Sequence, residues 1–267
     1  MHKYKLLIAY DGTNYSGWQI QANALSIQSL IEKALHTLLK HPTSLTGAGR
    51  TDAGVHAHGQ VAHFCSEKAI DLARTQASLN GLLPLDVRIL DIERVSDDFH
   101  ARYSAISKEY HYHLHLELAQ NPLKRLYSYH VLHRTNTALL KEAALLFVGT
   151  HDFTSFASKA LYGCAAKNPV RTISRLDVIP EPGGLCLEFE GNGFLYKMVR
   201  NITGTLIDVA CGKITLEEIP VIFAKRDRGA SGRIAPARGL FLKKVSYNTI
   251  SSIDEKCRTP LGSAESI

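Results

Sequence analysis

The feature that most limits what this chain can fold into is an order of strand-like and helix-like periodicity that occurs twice. Alternation over 3–10 (KYKLLIAY) predicts a strand, and the turn-rich DGTNYSG follows it. From Ser26, a fitting N-cap, the apolar residues Ile27, Leu30, Ile31, Ala34, Leu35 and Leu38 recur at helical spacing, with Pro42 just beyond. A short strand near 43–46, a glycine-rich loop, a strand near 60–65, a helix near 72–82 and a strand near 87–95 complete a βαββαβ unit. The second half predicts a strand at 107–118, a helix at 137–147, and a hairpin of 170–179 and 185–190 around Pro180, Pro182, Gly183 and Gly184. A helix from about 194 to 211, closed by Gly212, an extra helix at 216–224 and a strand at 239–245 follow. Such a chain reads as α+β, two ferredoxin-like βαββαβ halves whose antiparallel sheets each carry helices on one face and flank a central cleft with the other. The halves are 1–104 and 105–247, and the Ser-rich, charged tail 248–267 is expected at the surface or mobile.

Length and composition agree with this. The 267 residues, 45% of them hydrophobic, suffice for one large or two ordinary domains. The opening MHKYKLLIAYDG is too short an apolar run for a secretory signal, and no stretch approaches membrane-spanning length, so a cytoplasmic protein without membrane contact is expected. Five scattered cysteines with no CxxC pair predict reduced thiols rather than disulfides or a zinc finger. A net charge of +6 favours a polyanionic partner without requiring one.

Within the glycine-rich loop, GAGRTDAGVHA (47–57) holds a single carboxylate, Asp52, two residues from Arg50. Gly47, Gly49 and Gly54 permit positive φ and close backbone approach, which would let the loop present Asp52 to a bulky substrate in a cleft. A phosphate-cradling loop fits poorly, since Asp replaces the last glycine of GxGxxG and no GK[ST] follows. The plain alternative is an Asp capping its turn, paired with Arg50.

GAGRTDAGVHA, YDGTNYSGWQIQ (10–21), DDFHARYSAISKEYHY (97–112), NGFLYKMVRN (192–201) and APARGLFL (235–242) together resemble the tRNA pseudouridine synthase A family. The blocks stand in the same order and span nearly the whole chain except the tail; GRTDAGVHA is the most specific. The resemblance implies two ferredoxin-like halves around an RNA-binding cleft, and conversion of uridine to pseudouridine at positions 38, 39 and 40 of the tRNA anticodon arm. It implies a homodimer and no cofactor or metal. Asp52 matches the essential aspartate, acting as nucleophile or as base. Arg50 would favour its charged form and help hold the flipped nucleotide. Arg200 matches an active-site cation pairing with Asp52, Tyr110 a tyrosine packing beneath the uracil ring and able to relay a proton at C5, and Leu240 an apolar residue of the base pocket. By pattern alone these three are a solvated helix charge, a core aromatic and strand packing. The helical spacing of Lys197, Arg200 and Gly204 sets them opposite an apolar stripe, on a face expected to be free. The family commonly has Thr before APA where this chain has Ile234, and Arg238 adds charge near the pocket.

Rival classes have their own residues. His111, His113 and His115 with Glu117, at strand spacing, and the cluster of His56, His58 and His63 would suit a metal-dependent hydrolase, or else line a surface facing RNA or solvent. A glycosidase needs a second positioned carboxylate, for which Asp11 is the obvious candidate. A non-catalytic RNA-binding protein would leave Asp52 without a purpose. Phosphate-gripping candidates are Lys197, Arg226 and Arg228, within a crowd of Lys225, Arg233 and Arg238, and a second group of Lys159, Lys167, Arg171 and Arg175.

Overall fold

Along the first strand, β1 (His2–Tyr10), Tyr4, Leu6, Ile8 and Tyr10 are buried while their neighbours are half-buried, so the strand has one inward face. The computed structural model describes residues 1–158 and 168–248. Helix α1 (Ile27–Leu39) starts at the Ser26 cap, whose hydroxyl accepts from the Ser29 amide, and ends at Lys40 in the left-handed region two residues before Pro42. Then come β2 (Thr46–Gly47), β3 (His56–Ser66), α2 (Leu72–Leu82) and β4 (Val87–Val95). The second half holds β5 (Ala105–His115), β6 (Tyr129–His130), α3 (Thr137–Leu145), β7 (Gly149–Asp152), β8 (Val170–Glu181), β9 (Gly184–Gly191), α4 (Met198–Ala210), α5 (Glu218–Lys225) and β10 (Leu240–Tyr247). The predicted elements are all present; β6 and β7 are additional.

Ten strands form one mixed, mostly antiparallel sheet, in the order β4-β1-β3-β10-β5-β9-β8-β7 with β2 beside β3 and β6 beside β5. This corrects the expectation of two sheets facing each other across a cleft. The halves join edge to edge, where β10 runs parallel to β3 with Phe241 opposite His56 and Leu242 opposite Ala57. That pairing satisfies backbone groups that two separate sheets would leave on open edges. α1 packs with α2 and α2 on β4 at one end; α3 packs with α4 and α3 on β8 at the other. Between the helix pairs lies the middle of the sheet, whose inward face carries Tyr110, Leu240 and Leu242.

α4 departs twice from its sequence reading. It starts at Met198 rather than near 194, because Lys197 sits in the left-handed region (φ 61°) after a turn that buries Leu195. Its supposed free face is packed as well. All its residues but Arg200 are buried, and a Cβ at Gly204 would overlap the Arg233 carbonyl oxygen. The tail from 249 onward and the stretch 159–167, with Lys159 and Lys167, lie outside the described residues.

Candidate active site

Between β2 and β3 the loop carrying Asp52 is fastened at almost every residue. Ala48 donates its amide to the Val61 carbonyl (2.7 Å) and accepts from Lys108 Nζ (2.9 Å); Gln60 Nε2 donates to the Gly49 carbonyl (3.0 Å). The Thr51 carbonyl accepts from the Trp18 amide (3.1 Å), and its hydroxyl pairs with that of Tyr10 (2.8 Å). Of the three loop glycines, only Gly54 has positive φ (+76°); Gly47 is needed for close approach, since a Cβ there would lie 2.5 Å from the Trp18 indole nitrogen. The loop is thus a rigid mount, with Asp52 17% exposed at its tip.

Arg200, on α4, donates from Nη1 to Asp52 Oδ2 at 2.7 Å. Its Nε donates to the Ala235 carbonyl (2.8 Å), and the Ala235 amide donates back to the Arg200 carbonyl (3.0 Å). One guanidinium therefore ties α4 to the segment before β10 and to the Asp52 loop, in a half-buried pair where charge-assisted bonds are strong. Arg50 lies elsewhere. It is exposed and donates to Gln19 Oε1 (3.2 Å), so the cation paired with Asp52 is Arg200 and not the arginine nearer in sequence.

Tyr110 is buried on β5, its ring edge-on to Phe194 at 5.2 Å. Burial first, then the charges of Tyr10 and Asp52, raises its pKa, so the phenol is neutral near pH 7. Leu242 stands opposite Tyr110 and Leu240 opposite Tyr112, which puts both leucines on the same inward face. Lys108, two residues before Tyr110 and on its face, reaches the Asp52 loop through the Ala48 carbonyl, a contact that the sequence reading passed over. Strand alternation from Tyr110 would have placed the lysine on that face. Burial, with Arg102 and Arg171 nearby, lowers its pKa to about 8.

The phosphate candidates separate. Lys197 caps α4 with its ammonium 4.9 Å from the Tyr196 ring centroid, and Arg226 is 69% exposed, its Nε 3.0 Å from Asp152 Oδ2. Arg228 does not fit the expected role. It donates to Ser231 Oγ (2.9 Å), the Gly232 carbonyl (3.0 Å) and buried Asn201 Oδ1 (2.9 Å), and so holds a loop together. Asp11 accepts from Thr13 and Tyr127 and lies 3.0 Å from His56 Nδ1. It is tied up in structure rather than poised as a second carboxylate.

Fold and site define a mixed α/β enzyme in which Arg200 holds the loop carboxylate of Asp52. Residues 6–104 and 143–248 match the family model described as tRNA pseudouridine synthase. Similar proteins include tRNA pseudouridine synthase A 1 of Protochlamydia amoebophila (strain UWE25), 62% identical over 92% of this chain and 97% of its own. Those of Acetivibrio thermocellus (45%, covering 92% and 100%) and Bacillus subtilis (43%, covering 92% and 99%) are named tRNA pseudouridine synthase A. A chain of the solved structure "Crystal Structure of a Cbf5-Nop10-Gar1 Complex" aligns over 76% of this chain and 53% of its own at 11% identity, with a TM-score of only 0.32. The chain belongs to the tRNA pseudouridine synthase family, a family of isomerases.

Proposed function

We propose that this protein isomerises uridine to pseudouridine at positions 38, 39 and 40 in the anticodon stem and loop of tRNA, without a cofactor, with Asp52 as the reacting carboxylate. The observation that carries the reading is the 2.7 Å pair between Arg200 and Asp52, which sets one carboxylate in an arginine clamp beside a buried tyrosine. The reaction breaks the bond from ribose C1′ to uracil N1, turns the base, and joins C1′ to C5; the proton on C5 leaves and N1 gains one. A carboxylate serves this by attacking covalently or by removing a sugar proton. Arg200 holds Asp52 in place, and Arg50, exposed and two residues from Asp52, takes the flipped nucleotide. Tyr110 packs beneath the uracil, where a neutral phenol can pass a proton on from C5 only by giving up its own. Leu240 lines the base pocket.

The cleft takes RNA across the middle of the sheet, with Lys197 and Arg226 on the phosphate backbone. Residues 1–104 and 105–247 are read as two ferredoxin-like halves. The same strand order in each, β4-β1-β3-β2 and β10-β5-β9-β8, supports this. A homodimer, in which one subunit grips the tRNA elbow while the other works on the anticodon arm, and a cytoplasmic location complete the reading; among the described residues no helix is long and apolar enough to cross a membrane. The test is to incubate tRNA transcripts carrying uridine at 38, 39 or 40 singly and map pseudouridine by carbodiimide-blocked primer extension. Stops at all three are expected. Modification confined to another arm would overturn the assignment.

A further inference from the structure

The sheet face turned away from Tyr110 carries a cluster that the reaction does not use. β5 and β9 pair antiparallel with His113 opposite Cys186 and His111 opposite Glu188. Strand alternation puts these side chains on the side opposite Tyr110 and Tyr112. One nitrogen from each imidazole and the Cys186 sulfur all lie within 4.8 Å of one another. Each ring is also held by a carboxylate: His113 Nδ1 lies 2.9 Å from Glu181 Oε2, and His111 Nε2 lies 2.8 Å from Glu109 Oε1. Arg175 in turn grips Glu109 (3.2 Å) and Glu188 (2.6 Å). Cys186 is 2% exposed and a free thiol.

We propose that His111, His113 and Cys186 form a binding site for one zinc-class divalent ion on the back of the sheet, remote from Asp52. Two imidazoles and a thiolate are the donor set that such ions prefer over magnesium or calcium, which take oxygen. A carboxylate on a ring nitrogen of each histidine fixes the ring, as the outer-shell partners of zinc-bound histidines do. Water fills the fourth place. On coordination the thiol loses its proton to solvent and a sulfur–metal bond forms.

The ligand set differs from the one that sequence spacing offered. His115 points its Nε2 at the Ala119 carbonyl (3.0 Å) and packs against His130, and Glu117 is 4.0 Å from it. Cys186, distant in sequence and adjacent through strand register, replaces them. The carboxylates around the cluster would repel phosphate, so the ion sits away from RNA and clamps β9 to β5, the strand that carries Tyr110 and Lys108 on its other face.

The test uses the full chain, stripped with a chelator and then titrated with cobalt(II). A spectrum saturating at one equivalent is expected, with a sulfur-to-cobalt charge-transfer band and the visible bands of a four-coordinate ion. Cys186→Ser should lose the charge-transfer band while Cys65→Ser keeps it. Glu181→Gln, which frees the His113 ring without removing a ligand, should weaken binding about 10–100-fold. Circular dichroism confirms that each variant is folded. A folded wild type with no saturable cobalt spectrum, or a charge-transfer band that survives in Cys186→Ser, overturns the site.

Discussion

Arg200 makes two kinds of contact with one group, and they predict different things of its variants. Lysine keeps the charge but cannot reach Asp52 Oδ2 and the Ala235 carbonyl together, as the guanidinium does at 2.7 and 2.8 Å. Arg200→Lys is therefore expected to lower kcat/KM by about 10²-fold, roughly 2.7 kcal/mol, with low-salt tRNA binding nearly intact. Steady-state kinetics beside filter binding would show it, and wild-type kinetics would remove Arg200 from the site. Tyr110→Phe separates packing from proton relay. The ring against Phe194 is kept, so folding should be unchanged, while loss of the hydroxyl should cost about 10²-fold in kcat. An unchanged kcat would leave Tyr110 a purely packing role.

Elements carry their own tests, and α4 has the sharpest. Because Gly204 faces the Arg233 carbonyl, Gly204→Ala should destabilise the fold by about 1–3 kcal/mol despite alanine's better helix propensity, read as a lower urea midpoint. On β3, burial first and then His100 and Lys3 lower the His63 pKa from 6.5 to about 4, and its Nδ1 accepts from the Ala101 amide (3.2 Å). In that interval the unfolded chain binds a proton that the folded one refuses, so stability is lost as pH falls from about 6.5 toward 4. The urea midpoint should drop more between about pH 7 and about pH 5 in wild type than in His63→Gln. The same elements show what a sequence can reveal. α1 was legible because its cap, its apolar stripe and Pro42 all agree locally. The start of α4 was not, because a left-handed Lys197 leaves no trace in the spacing of Leu195, Met198 and Val199. The pairing of Arg200 with Asp52 was legible from the motifs and Lys108 from strand alternation, whereas the true place of Arg50 depends on a contact with Gln19 that nothing local announces. The edge-to-edge joining of β3 and β10 likewise depends on pairing between residues far apart in sequence.

At the scale of the whole molecule, the proposed function sets RNA on one face of a continuous sheet, while the opposite face is acidic around Arg175. Binding of tRNA should therefore weaken steeply with salt, and Lys197→Gln with Arg226→Gln should lessen that slope by roughly 1–2 on logarithmic axes. Arg228→Gln should instead lower stability, since its donors hold Ser231, Gly232 and Asn201. In the proposed reaction Asp52 carries a metal-free uridine isomerisation on this face. This is tested most directly by tritium release from tRNA labelled at uracil C5, with a chelator present, comparing wild type with Asp52→Asn. Release by wild type and none by a folded Asp52→Asn that still binds tRNA is the predicted result; release by Asp52→Asn at a rate near wild type, or none from folded wild type on any tRNA, would contradict it.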